Sequence, residues 1–113
     1  MKEKRNLYEG MFIVSPTLSD DARSKALERV KKEITDKGGE IMKEHDMGRK
    51  RLAYEVDGHR EGYYYLFYFE VNAEAITDIW KEWHLNEDLI RFMTTRTEKV
   101  LESLEFKALA EPQ

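Results

Sequence analysis

Gly48-Arg49-Lys50-Arg51-Leu52-Ala53-Tyr54 runs three cations straight into an alternating stretch, and shortly afterwards Tyr63-Tyr64-Tyr65-Leu66-Phe67-Tyr68-Phe69 forms an aromatic-dense segment. Period-two alternation predicts strands over residues 40–56 and 63–71. Asp57-Gly58-His59-Arg60-Glu61-Gly62 between them reads as a hairpin loop, so the two strands are neighbours in one sheet. Gly48 marks a bulge or bend in the first of them. Cations suit phosphates and aromatic faces suit bases or a protein surface, so the pair points to an RNA-associated binding module.

Working outward, residues 7–15 read as a strand that is apolar on both parities, with Leu7, Met11 and Ile13 on one and Tyr8, Phe12 and Val14 on the other. Both of its faces should therefore be covered. Ser15-Pro16 ends it. Ser19 is a good helix N-cap, with Asp20 and Asp21 in the favourable first turn. Ala22, Ala26, Leu27, Val30 and Ile34 give the helix an apolar stripe, and Gly38-Gly39 closes it in the left-handed conformation. Asn72 is placed to cap a second helix over 73–85 with the stripe Ile76, Ile79, Trp80 and Trp83, both tryptophans being assigned to the core. Residues 89–97 alternate as a fourth strand.

The order strand, helix, strand, strand, helix, strand predicts an α+β ferredoxin-like βαββαβ sandwich: a four-stranded antiparallel sheet with two helices on one face. Right-handed crossovers put the first and third strands in its centre. The sheet's other face is then open, and one parity of the third strand leaves at least two tyrosines on it, a composition that marks contact sites. Residues 1–97 form this domain. Residues 98–113, with Val100, Leu101, Leu104, Phe106 and Leu109, lack a strong pattern and are expected to be a mobile tail.

Composition narrows the classes. The 113 residues form one domain, and 41% hydrophobic content with 12% aromatic content argues against wholesale disorder. No apolar run approaches the roughly 20 residues that span a bilayer. Cysteine is absent, which excludes disulfides and thiolate metal sites and fits a cytosolic chain. The net charge is -4, too acidic for a solitary nucleic-acid binder. An acidic chain can join an RNA assembly if a basic partner supplies much of the phosphate neutralisation. Glu70, Glu74, Asp78, Glu82, Glu87 and Asp88 concentrate the acid in one region. Catalysis finds no support. His45, His59 and His84 lie far apart without metal spacing, and no glycine-rich loop precedes a helix.

The motifs resemble a known family. Gly48 to Tyr54 is similar to the signature of the sixth protein of the bacterial small ribosomal subunit. Tyr8-Glu9, Gly38-Gly39, Arg60-Glu61-Gly62-Tyr63-Tyr64 and Asn86-Glu87-Asp88-Leu89-Ile90-Arg91-Phe92-Met93 follow in order across residues 7–97. The resemblance implies a structural ribosomal protein with a ferredoxin-like fold and no catalysis or cofactor. It implies binding to the central domain of small-subunit ribosomal RNA as a heterodimer with a small basic neighbour, protein eighteen of that subunit. Where the family usually continues Leu-Ala-Tyr with proline, this chain has Glu55, Val56 and Asp57. Where the family has basic residues before Tyr-Glu, it has Asn6 and Leu7.

The candidate RNA contacts are Lys4, Arg5, Arg49, Lys50, Arg51, Arg60 and Arg91. The candidate stacking or partner residues are Tyr8, Tyr54 and Tyr64. No catalytic or metal-ligating residue is assigned. Two other readings share the fold: a free-standing RNA-recognition motif, with Tyr64 or Tyr65 stacking on single-stranded bases, and a ligand-binding or acylphosphatase-like domain, which would need a polar pocket.

Overall fold

A computed structural model describes residues 5–100 of the chain. Its elements are β1 (Arg5–Val14), α1 (Asp20–Asp36), β2 (Glu40–Val56), β3 (His59–Asn72), α2 (Ile76–His84) and β4 (Leu89–Thr97). The strands form one antiparallel sheet in the order β2-β3-β1-β4. The expected ferredoxin-like topology is therefore present, with β1 and β3 central. Lys4 and residues 101–113 of the expected tail lie outside the described residues.

The helix boundaries follow their capping chemistry. Ser19 Oγ accepts the Ala22 amide at 3.1 Å at the start of α1. At its end the amides of Gly38 and Gly39 return to the carbonyls of Thr35 and Ile34. This double return satisfies two of the last carbonyls of the helix. The second helix starts later than the sequence predicts. Asn72 Oδ1 accepts the Glu74 amide, and the Asn72 carbonyl accepts the Ala75 amide. Residues 73–75 thus form a turn, and Asn72 shapes that turn instead of capping α2 directly.

The core lies between the helices and one face of the sheet. Tyr8, Phe12 and Val14 of β1 meet Tyr65, Phe67, Phe69 and Val71 of β3, roofed by Ala26, Val30 and Ile34 of α1 and Ile76, Ile79 and Trp83 of α2. Trp83 is the hub. Its ring meets Phe12 edge-on at 4.8 Å, Phe69 at 6.0 Å and Phe92 at 5.4 Å, while its Nε1 donates to the Val30 carbonyl. Trp80 departs from expectation. It is 36% exposed, and its Nε1 donates to Thr94 Oγ1. At 100° per residue it lies about 70° from the mean direction of Ile76, Ile79 and Trp83, so it covers the β4 rim instead of entering the core.

Two irregularities position the functional face. The hairpin is tighter than predicted: Asp57 and Gly58, at φ 48° and 82°, make a two-residue turn, and His59 and Arg60 already belong to β3. Positive φ at both positions matches the strand twist, and glycine takes it without strain. In β4, Leu89 pairs with Val14 on the helix side, whereas Arg91 pairs with Ile13 on the opposite side. Ile90 is the extra residue of this bulge, and it turns Arg91 onto the open face.

Candidate RNA and protein interface

The register assigns the open face residue by residue. β1 contributes Leu7, Glu9, Met11 and Ile13, and β3 contributes Tyr64, Leu66 and Tyr68. β2 adds Lys43, His45 and Lys50, and β4 adds Arg91, Met93 and Thr95. Tyr68 is 0% exposed although no helix covers it. Its hydroxyl donates to Glu9 Oε2 at 2.8 Å, and its ring stands edge-on to His45. This half of the face is polar.

The other half is shaped by the segment that the sequence singles out. Arg51 pairs with Glu61, and the next pair is Val56 with His59. Residues 52–55 therefore oppose Arg60 alone and leave the ladder as an arch. Leu52, Ala53, Tyr54 and Val56 form one wall of a groove of about 540 Å³. Met11, Ile13 and Tyr64 are its floor, and Arg91, Phe92 and Met93 are the far wall. Tyr54 is 64% exposed, and its hydroxyl accepts from Arg91 Nη1 at 3.3 Å. The Arg91 guanidinium lies 5.7 Å from the Tyr54 ring centroid, so the two close the groove from opposite sides.

The candidate cations divide. Arg51 and Arg60 are exposed and border the outer surface of the arch, together with Leu52, Ala53, Tyr54 and Glu55. Lys50 pairs with Gly62 and lies half-buried on the open side. Arg49 points to the helix side, where its Nε donates to Glu61 Oε1 at 2.6 Å. That hydrogen bond raises its pKa and holds the guanidinium charged. Arg5 is at the opposite end of β1, eight positions and so about 27 Å from Ile13 on the groove floor. There its Nη2 donates to the Gly38 carbonyl.

The candidate aromatics also separate. Tyr64 is on the groove floor and Tyr54 on its rim, so the structure brings these two together with Arg91. Tyr8 is not on this face. It is buried under the helices, stacked on Phe69 at 5.6 Å. Tyr65 and Phe67 are in the core as well, so of the third-strand rings expected to stack on bases in an RNA-recognition motif these two are covered by the helices.

Sequence reasoning missed Met11, Ile13, Leu52, Ala53 and Met93 as groove residues. The available signal was the apolar second parity of β1, which has no helix to cover it. It also missed Arg23, which anchors the base of the hairpin from behind. Its guanidinium stacks 3.8 Å over Tyr63, its Nε donates to Tyr65 Oη at 3.0 Å and it pairs with Asp20. Burial pushes the Tyr65 phenol above its ordinary value, opposed by the Arg23 hydrogen bond. Among the described residues no group of three or more His, Asp or Glu side chains is placed to hold a metal ion, and no helix is long and apolar enough to cross a membrane.

Comparison with known proteins gives a consistent answer. The family model described as Ribosomal protein S6 matches residues 7–96. Small ribosomal subunit protein bS6 of Protochlamydia amoebophila is 64% identical over 109 residues, covering 96% of each chain. The protein of the same name from Chlamydia pneumoniae is 58% identical over 110 residues, covering 97% of this chain and 98% of the relative. The crystal structure of 30S ribosomal protein S6 from Thermotoga maritima superposes with a TM-score of 0.78 at 33% identity, covering 83% of this chain and 89% of that one. With the sandwich, its open face and these relatives in agreement, the chain belongs to the ribosomal protein S6 family, a family of structural and non-enzymatic ribosomal proteins.

Proposed function

We propose that this structural ribosomal protein binds the central domain of small-subunit ribosomal RNA jointly with the small basic protein eighteen of that subunit, and that it does so in the cytoplasm. The observation that carries this reading is the open sheet face. An apolar groove lies there, and the exposed cations Arg51 and Arg60 border the outer side of the arch that walls it. The groove suits a protein surface. Exposed guanidinium groups beside it suit phosphate, which Arg can hold through two parallel hydrogen bonds.

The charge balance supports a shared task. At -4 the chain lacks the cationic surplus that would hold RNA unaided. A basic neighbour on the open face supplies that surplus, while Arg51, Arg60 and Lys50 add contacts at the hairpin end. Arg49 is committed to Glu61, and Arg5 sits at the far end of the sheet, so they are secondary contacts in this reading.

The test is reconstitution with a central-domain RNA fragment at graded salt. The chain with its basic partner should bind at least roughly tenfold more tightly than the chain alone, with a steep salt dependence. Equally tight, site-specific binding by the isolated chain would refute the shared arrangement. Failure of the tagged chain to co-sediment with small subunits at low salt would refute the assignment altogether.

A further inference from the structure

We propose that Arg91 is a protein-recognition residue and not a phosphate contact. With Tyr54 it closes a groove that takes an extended apolar segment of the protein partner carrying one carboxylate. This inference rests on the proposed existence of such a partner and specifies what the partner must present.

The groove's own lining defines the complement. Met11, Ile13, Leu52, Ala53, Val56, Phe92 and Met93 make it apolar, and Arg91 is the single charged residue among those that line it. A cationic side chain entering there would face Arg91 with no acid in the lining to offset it, and like charges side by side are unfavourable. An uncharged apolar segment fills the groove but leaves the guanidinium unused. A segment with one carboxylate satisfies both, because Arg has five N–H donors and one of them goes to Tyr54. The size fits as well, since binding clefts commonly enclose about 300–1,000 Å³.

The arch separates this site from the phosphate-facing cations. Leu52, Ala53 and Tyr54 are shared by both concavities, with Arg51 and Arg60 on the outer side and Arg91 on the inner. Arg91 approaches Tyr54 across β1 and β3, the two strands that lie between β2 and β4. A phosphate drawn to it would meet a single guanidinium and the Tyr54 and Tyr64 hydroxyls over an apolar floor, whereas a carboxylate, with one charge and two oxygens, is matched by one Arg fork. On the outer side two guanidinium groups, Arg51 and Arg60, stand against Glu55 alone.

Two acetylated, amidated heptapeptides test the groove: alternating valine and leucine around a central aspartate, and the same peptide with central lysine. Binding is read from the methyl NMR signals of Met11 and Met93. The aspartate peptide should bind about tenfold more tightly than the lysine peptide, and Arg91→Glu should invert the order. Arg91 is exposed, and circular dichroism verifies that each variant is folded. In parallel, Arg91→Ala in the complete RNA assembly should weaken capture of the basic partner while leaving the salt slope unchanged. Arg51→Ala should lower that slope. Equal affinity for the two peptides overturns the proposal, as does a slope that falls with Arg91→Ala as it does with Arg51→Ala. If the peptides discriminate but no assembly forms with RNA and the basic partner, the functional reading fails and the groove's specificity stands.

Discussion

The two faces of the sheet are built from the same strands and from similar residues, yet only one of them is covered by the chain's own helices. On one side Phe12, Phe67 and Phe69 are sealed by helices, with Trp83 of α2 packed on them. On the other, Met11 and Ile13 lie on either side of Phe12 and Tyr64 lies next to buried Tyr65 in the same strands, and the three form the floor of an uncovered groove. The groove half of the open side is apolar like the helix side, so hydrophobicity alone does not separate the core from this uncovered surface. What separates them is whether a helix of the same chain lies above. A sheet with two helices on one side leaves its second apolar face to be covered from elsewhere.

That contrast can be tested by cutting into each face. The largest effect should come from Phe12→Ala, which removes a fully buried ring between Trp83 and Phe67. It should lower unfolding free energy by about 3–5 kcal/mol in a denaturant titration. A loss below about 1 kcal/mol would mean that the helix-covered face is not the main core.

Tyr64→Ala on the groove floor should act differently. Calorimetry with the basic partner should show affinity falling roughly 10- to 100-fold, as for a central aromatic anchor. Its cost in stability should be well below that of Phe12→Ala. The opposite ranking would show that the open face is merely more core.

A smaller effect separates charge from shape. Arg51→Ala and Arg60→Ala should each reduce the slope of log affinity against log salt by roughly 0.7–0.9, with stability within about 0.5 kcal/mol of the parent. Unchanged slopes for both would remove phosphate from the outer side of the arch.

The smallest effect concerns alkaline pH. The folded protein holds the Tyr65 proton more tightly than the unfolded chain, because burial disfavours the phenolate. The associated stability is fully present below the ordinary tyrosine value near 10 and is lost as pH rises through the raised folded value. Thermal melts of Tyr65→Phe above that range should decline less with pH than those of the parent. Parallel declines would show that Tyr65 is not linked to folding.

Some of this was legible in the chain and some was not. Ser19 and the Gly38-Gly39 pair mark α1 because capping is local chemistry, and alternation marks the strands because side chains must point to opposite faces. The expected core position of Trp80 did not hold, since a stripe reports direction but not where the roofed area ends. Tyr8 was read as a contact, and it packs beneath the helices because its parity is that of Phe12. Arg60 was assigned to a loop and is a strand residue, because Asp57 and Gly58 complete the turn alone.

The sequence by itself determined the order of elements, the two-sided apolar character of β1, the acidic balance and the family signature. These depend on neighbours in the chain and on periods of two and of about 3.6 residues. Only the tertiary structure decided that residues 52–55 arch over the open face and that Ile90 turns Arg91 towards Tyr54. Both outcomes depend on cross-strand register, which is set by long-range pairing and is invisible to any local pattern.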